Sequence, residues 1–324
     1  KEWPVLNFEQ MFPLPGNILA NAVSRVDSKI FSRGVTAVCS FESIHTAEFL
    51  LNSFSALDVS VAVMVDDING LSASDSPSGI VKIFLDGSFG AGNAALPDPY
   101  PDSSMGEMHY TNTELAALFV RCGEMGLSVA VHAIGGKALK QLDMASNSAF
   151  RTLGHGFIIR VEHAEDLMQA WPGTWNSDFH IFSMQPNFVE RWQRQGGMYD
   201  RILSAERSLM LNPFRTVLDA GFQLAFGSDC MPLDPLYGLK GAVRHRNAAQ
   251  SVSMVEALAA YTLDAASISG LLHLAAPLGA GRTADMVFLS GNPFESFDNI
   301  SIEATMKNGS IVFGKNVFRR DLNV

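Results

Sequence analysis

Four polar residues stand where short apolar runs would otherwise read as buried strands. Lys82 lies inside Val81-Lys82-Ile83-Phe84, and His132 closes Val129-Ala130-Val131-His132. His163 closes Ile159-Arg160-Val161-Glu162-His163, and Asp229 follows Ala225-Phe226-Gly227-Ser228. Two imidazoles and a carboxylate converging on one point suit Zn²⁺ or a similar borderline cation. Such a cation with an open position lowers the pKa of a water to about 7 and so provides hydroxide at neutral pH. A nearby carboxylate can accept and return the protons. Each residue also has a plainer use. A strand-end His can be a hydrogen-bonded core or surface residue. Lys82 can snorkel to a rim. Gly-Ser-Asp is a common turn, with Asp229 as a helix N-cap. The joint placement at the same end of successive strands is what favours the metal.

The elements that would position these residues alternate helix with short apolar strand. A helix is predicted over 17–33, ended by Gly34, followed by a strand over 35–39. A helix over 44–57 leads to a strand over 59–65, and a third strand covers 79–85 before a long Gly/Pro/Asp loop to about residue 104. Thr113 caps a helix to Met125, ended by Gly126. Further strands are predicted over 127–132, 157–163, 180–184 and 222–226. Continuous apolar strands alternating with helices imply a parallel sheet covered on both faces. Seven such units, on a chain beginning with Lys1, fit a TIM-type (β/α)8 barrel with strands 2–8 present. An open doubly wound sheet is the competing architecture. The four polar residues then fall on the third, fourth, fifth and seventh visible strands, which are the fourth, fifth, sixth and eighth of a complete barrel. Their ends open on one face.

Composition narrows the functional classes. The chain has 324 residues, 47% hydrophobic, with a net charge of −10, so it can bury a large core and lacks the basic balance of a nucleic-acid or anionic-membrane partner. Its 3 cysteines, Cys39, Cys122 and Cys230, are widely spaced and point to a reducing, cytoplasmic setting. No run of 18 apolar residues marks a membrane helix. Ser253-Met254-Val255-Glu256 reads as a capping box. Beyond it the pattern changes: 283–289 alternates, and Asn308-Gly309 is a hairpin turn between 302–307 and 310–313. The division is therefore a barrel over 1–276 and, over 277–324, a small C-terminal β unit of a β-sandwich domain.

Several segments together resemble the amidohydrolase superfamily, in the branch that includes N-substituted formamide deformylase-like enzymes. They are 81–88 (Val-Lys-Ile-Phe-Leu-Asp-Gly-Ser), Val131-His132-Ala133-Ile134-Gly135, Arg160-Val161-Glu162-His163-Ala164 and Ser183-Met184-Gln185-Pro186. Leu218-Asp219-Ala220-Gly221 leads on to Ala225-Phe226-Gly227-Ser228-Asp229, followed by Ala259-Ala260-Tyr261-Thr262-Leu263 and 281–287. The resemblance implies a centre of one or two divalent ions, Zn²⁺ first, with a carboxylated Lys82 bridging the two where both are bound, His132, His163 and Asp229 as further ligands and Asp229 as the catalytic proton shuttle. It also implies hydrolysis of an amide or other C–N bond of a small molecule by metal-activated hydroxide. Gln185, Asp86 and His245 are the candidate substrate contacts, His245 in Arg244-His245-Arg246 as a holder of a carboxylate or amide oxygen or, alternatively, part of a solvated loop. Three departures stand out. The family's His-x-His is absent, and Pro4–Glu9, strand-like, carries no His. Gly136 stands where Asp is usual, and Gly92-Asn93 where Arg-Thr is usual. The missing strand is expected upstream of Lys1 or from a second copy in a homo-oligomer. The rivals are a catalytically degenerate binding or scaffold protein, and a non-metal enzyme with His132 as general base.

Overall fold

Seven short runs rich in Val, Ile and Ala pair side by side, each parallel to the next: β1 (Ala37–Glu42), β2 (Asp58–Met64), β3 (Ile80–Phe84), β4 (Ser128–Ala133), β5 (Ile159–His163), β6 (His180–Met184) and β7 (Leu224–Phe226). The computed structural model describes residues 16–54, 56–65, 72–102 and 104–314. Pro4–Glu9 and part of the 66–78 connection lie outside them. Spatial order follows chain order, β1 to β7.

The sheet curls. Arg160 on β5 reaches Cys39 Sγ on β1 at 3.6 Å. Four strand spacings laid flat would separate those strands by roughly 19 Å, at ~4.8 Å each, far beyond one side chain. Alternation then sorts the faces. Phe41, Ala62, Ile80 and Ala130 share a cluster on the concave side, where Lys82 and Arg160 also approach Phe41. Val81, Ile83, Val129, Val131 and Val161 point outward into the main core, against Leu115, Phe119, Leu139 and Leu142 of the helices Asn112–Glu124 and Gly136–Leu153. Among the described residues β1 and β7 each pair on one side only. The sheet is therefore a curled seven-stranded one, not a closed ring of eight.

Several boundaries differ from the sequence expectation for local reasons. The first helix is Gly16–Phe31, and Gly34, at φ 73°, closes it: the Val35 amide donates to Ile30 O and the Gly34 amide to Phe31 O. That C-terminal motif takes up Val35, so β1 starts at Ala37 rather than at residue 35. The second helix stops at Ser53, not 57. The cap of the helix over 112–124 is Thr111, not Thr113, because Thr111 and Glu114 complete a reciprocal box. The box at Ser253 and Glu256 forms as expected.

The C-terminal unit is a three-stranded antiparallel sheet, β8 (Met286–Leu289), β9 (Ile302–Lys307) and β10 (Ser310–Phe313), in the order β10-β9-β8. Asn308 and Gly309 turn the hairpin at φ 49° and 76°. Thr305 Oγ1 donates to Phe31 O, and buried Lys307 joins Asp58 to Asp285. No described helix is long and apolar enough to cross a membrane.

Candidate metal centre

Register brings the polar strand ends level. Phe84 pairs with His132, His132 with Glu162, and Ala133 with His163. The two imidazoles meet edge to face, centroids 4.6 Å apart. Each is held from behind. His132 Nε2 donates to Gly87 O at 3.0 Å, leaving the Nδ1 lone pair free. His163 Nδ1 donates to Gln185 Oε1 at 2.8 Å, leaving Nε2 free. Tying one ring nitrogen this way fixes the tautomer and orients the other, as outer partners of metal-bound imidazoles do. Burial pulls the pKa of both rings down, and the proximity of each other's charge and of Lys82 adds to this at His132. Both are neutral, the form that ligates.

Lys82 is buried, with its Nζ 4.7 Å from the ring centroids of Phe41 and of Phe84 and no hydrogen-bond partner. It does not snorkel to the rim. Burial lowers its pKa to about 7, opposed by the charge of Glu162 and, more weakly, of Asp229 and Asp86. Glu162 in turn pairs with Arg160, both buried on the concave face.

Asp229 differs. It is exposed, on the turn after β7, and its charge acts on His163 and Lys82. It does not cap a helix; the next one, Pro235–Val243, is capped by Asp234. Paired non-glycine residues adopt positive φ at two strand ends, His163 and Ala164 (69°, 48°) and Asp229 and Cys230 (47°, 55°). Such backbone costs about 1–3 kcal/mol per residue and clusters at functional sites. Among the described residues, no three His, Cys, Asp or Glu side chains stand close enough together to hold a metal by themselves.

The three candidate substrate contacts have partners of their own. Asp86 accepts from the amides of Ala95, Ile134 and Gly135 at 2.8–3.0 Å and stands 3.6 Å from His132 Nε2. It pins the loop after β3 to the turn after β4, and burial raises its pKa to about 6. Gln185 holds His163. His245 is buried rather than on a solvated loop; its Nδ1 accepts from the Asn247 amide and its ring lies edge to face with Phe214.

The departures have local explanations. The Gly136 amide donates to Asp166 Oδ2, and a Cβ there would stand 2.3 Å from Gln169 Cβ. A side chain at 136 thus requires Gln169 to move. Asn93 Oδ1 accepts from the Ser88 amide and occupies the space where Gly87 would carry a Cβ. Asn93 therefore braces the residue whose carbonyl holds His132. The Arg160–Glu162 pair and the Gly87 carbonyl escaped the sequence reading. For the pair there was a signal, two charges at i and i+2 in an apolar strand.

A curled parallel sheet with helices on its outer face and polar residues at the carboxyl ends of its strands is an α/β architecture of the (β/α)-barrel type. The fold is like that of an uncharacterized metal-dependent hydrolase from Pyrococcus furiosus, whose crystal structure aligns with a TM-score of 0.63 at 24% identity over 83% of this chain and 59% of that one. The amidohydrolase family profile matches residues 32–313, and the chain belongs to that family. Among curated relatives, the amidohydrolase YtcJ of Bacillus subtilis (strain 168), named there on a provisional basis, is 29% identical over 73% of this chain and 47% of its own length. The N-substituted formamide deformylase of Arthrobacter pascens is 26% identical over 75% of this chain and 46% of its own length. The chain spans about half the length of these relatives.

Proposed function

We propose that this protein is a metal-dependent hydrolase that cleaves an amide or other C–N bond of a small molecule. The observation that carries this is the facing pair His132 and His163, each tied through one nitrogen and free at the other, beside the partnerless amine of Lys82. The donor set fits a borderline cation such as Zn²⁺ in one or two copies, with His132, His163, Lys82 and Asp229 as the holding residues. Lysine near neutrality is partly free amine, the form that takes up CO₂ to become a carbamate ligand. When bound, the cation supplies Lewis acidity and a water acidic at neutral pH. The chain's own groups do the rest. Asp229, open to solvent, takes a proton from the nucleophilic water and returns it to the leaving nitrogen. Gln185 and Gly87 hold the imidazoles through the cycle. Asp86 keeps the loop after β3 in place, and His245 packs on Phe214, which in turn meets Phe226 at the end of β7. The same reading divides the chain into a (β/α) barrel portion to residue 276 and a β-sandwich portion from 277.

A second reading has one observation in its favour. The described residues lack a complete ligand cluster, as in a degenerate family member that binds without cleaving. The full-length protein, purified and assayed for bound metal and for hydrolysis of a panel of simple amides with and without chelator, separates the two. Stoichiometric metal and chelator-sensitive turnover support the hydrolase. Metal-free protein with no turnover after metal addition supports the binding protein.

A further inference from the structure

One short stretch at the end of β6, residues 184–188, serves two strand ends at once. Gln185 holds His163, and Phe188 lies over the same imidazole, 6.0 Å away with 10° between planes. Met184 and Asn187 reach the other way. Met184 O accepts from the Gly227 amide at 3.0 Å, just before the turn that carries Asp229. Asn187 Nδ2 donates to Pro232 O at 2.8 Å and to Asp234 O at 3.3 Å, just after it. Within the turn the Met231 amide donates to Ser228 O, and Asp229 and Cys230 hold φ of 47° and 55°. Asp229 therefore stands on a strained turn pinned at both ends to the segment that orients His163.

The orientation of the Asn187 amide follows from its partners. Pro232 O and Asp234 O can only accept, so Nδ2 faces them. Oδ1 is then left for Tyr261, whose hydroxyl donates to it at 2.8 Å. Asn187 is fully buried, away from water that could replace either contact. Tyr261 comes from a π-helical turn, Ala260–Asp264, a distortion frequent at functional sites. The helix Pro235–Val243 makes room for it. A Cβ at Gly238 would stand 1.8 Å from the Tyr261 oxygen and 2.4 Å from Asn187 Oδ1.

We propose that Asn187 is a positioning residue: it sets where the Asp229 carboxylate stands relative to His163, and Tyr261 holds its amide to that task. The inference rests on the hydrolase reading for the part Asp229 plays in turnover, and not for the pinning itself. A proton shuttle works over hydrogen-bond distances, so a turn free to shift by ~1 Å costs up to about 100-fold in rate. The loss falls on the step that Asp229 serves.

The experiment uses the full-length, metal-loaded protein and N-ethylacetamide, whose alkylamine leaves only once protonated. Asn187→Leu keeps the volume and removes the amide. It should lower kcat by about 10–100-fold and change KM by less than about 3-fold. The same substitution placed on Asp229→Asn should change kcat by less than about 3-fold, because the shuttle it positions is already gone. Tyr261→Phe leaves Asn187 Oδ1 without its donor. It should show the same pattern at about 3–10-fold, and it serves should Asn187→Leu fold poorly. Equal losses in the two backgrounds would make Asn187 a general support, and no loss would make it dispensable; either overturns the proposal. Amide hydrogen exchange followed by mass spectrometry needs neither substrate nor turnover. In Asn187→Leu, exchange in 229–234 should quicken by about tenfold, the scale of one lost buried hydrogen bond, and that in 159–163 by less than about twofold. If N-ethylacetamide is not hydrolysed, the hydrolase reading fails on this compound, and the exchange result alone decides the positioning. A rise confined to 229–234 upholds it. Unchanged exchange there, or an equal rise in both segments, overturns it.

Discussion

The middle strands and the outer strands of the sheet are built differently. β5 and β6 are buried along their whole length, and from β3 to β5 Lys82, Arg160, Glu162 and His163 are enclosed. β1 is half-exposed throughout, and Asp229 beyond β7 is open to solvent. A strand with neighbours on both sides fixes a side chain through packing and register. An edge strand does so on one side only. Groups that must keep a set geometry, the imidazoles, stand in the middle. The group proposed to exchange protons with water, Asp229, stands at the edge.

His163→Ala tests that contrast hardest. Bound metal and turnover should both fall by more than the roughly 10–100-fold that loss of an outer partner costs. Asp229→Asn, whose amide oxygen can still ligate but cannot take a proton, should lose about 10²–10⁴-fold in kcat while keeping more of its metal than His163→Ala, measured by elemental analysis beside kinetics. Similar metal loss in both variants would erase the distinction between holding and shuttling sides.

Arg160→Leu should destabilise the fold by about 3–5 kcal/mol, because Glu162 is left buried without its guanidinium; chemical denaturation reads this directly. A loss under 1 kcal/mol would mean that Lys82 alone satisfies Glu162. Gln185→Ala should weaken metal affinity by about 10–100-fold with little change in melting temperature, since His163 loses its orienting acceptor and keeps its packing on Phe188. Competitive chelator titration measures it.

Acid should expose another buried imidazole, far from the site. His180, at the start of β6, is held at a pKa of about 4 by burial, with Nε2 on Ser146 Oγ. The folded pKa lies below that of a free imidazole, about 6.5. The unfolded chain therefore gains its proton first, and stability falls as pH drops from about 6.5 towards 4. His180→Gln should flatten that fall in denaturation curves taken at several pH values. A curve of unchanged slope would place the acid sensitivity elsewhere. The smallest effect belongs to the surface. Arg33→Ala breaks a partly exposed pair with Asp234 and should cost less than about 1 kcal/mol.

The strand ends carrying Lys82, His132 and His163, the parallel sheet and the hairpin at Asn308-Gly309 were legible because each is written in a few consecutive residues. Helix ends were less so: Thr113 and Thr111 are both plausible caps, and only the partner Glu114 distinguishes them. What holds the imidazoles was not legible. Gly87 O lies 45 residues from His132 and Gln185 lies 22 from His163, and no local pattern encodes such distances. Gln185 and Asp86 were read as substrate contacts from residue type alone. The residue types were visible, whereas the partners that occupy them were not.

The order of the strands has a consequence for how the chain assembles. Every pairing in the large sheet joins strands that are consecutive along the chain. A growing chain therefore finds each new strand's neighbour already made, and the sheet can grow by accretion, with one crossover to close at each step. Side-chain contacts across the concave face depart from that order, and the one from Arg160 to Cys39 spans 121 residues. It can form only after five strands have been laid down, so it marks the point at which a growing ribbon commits to its curvature.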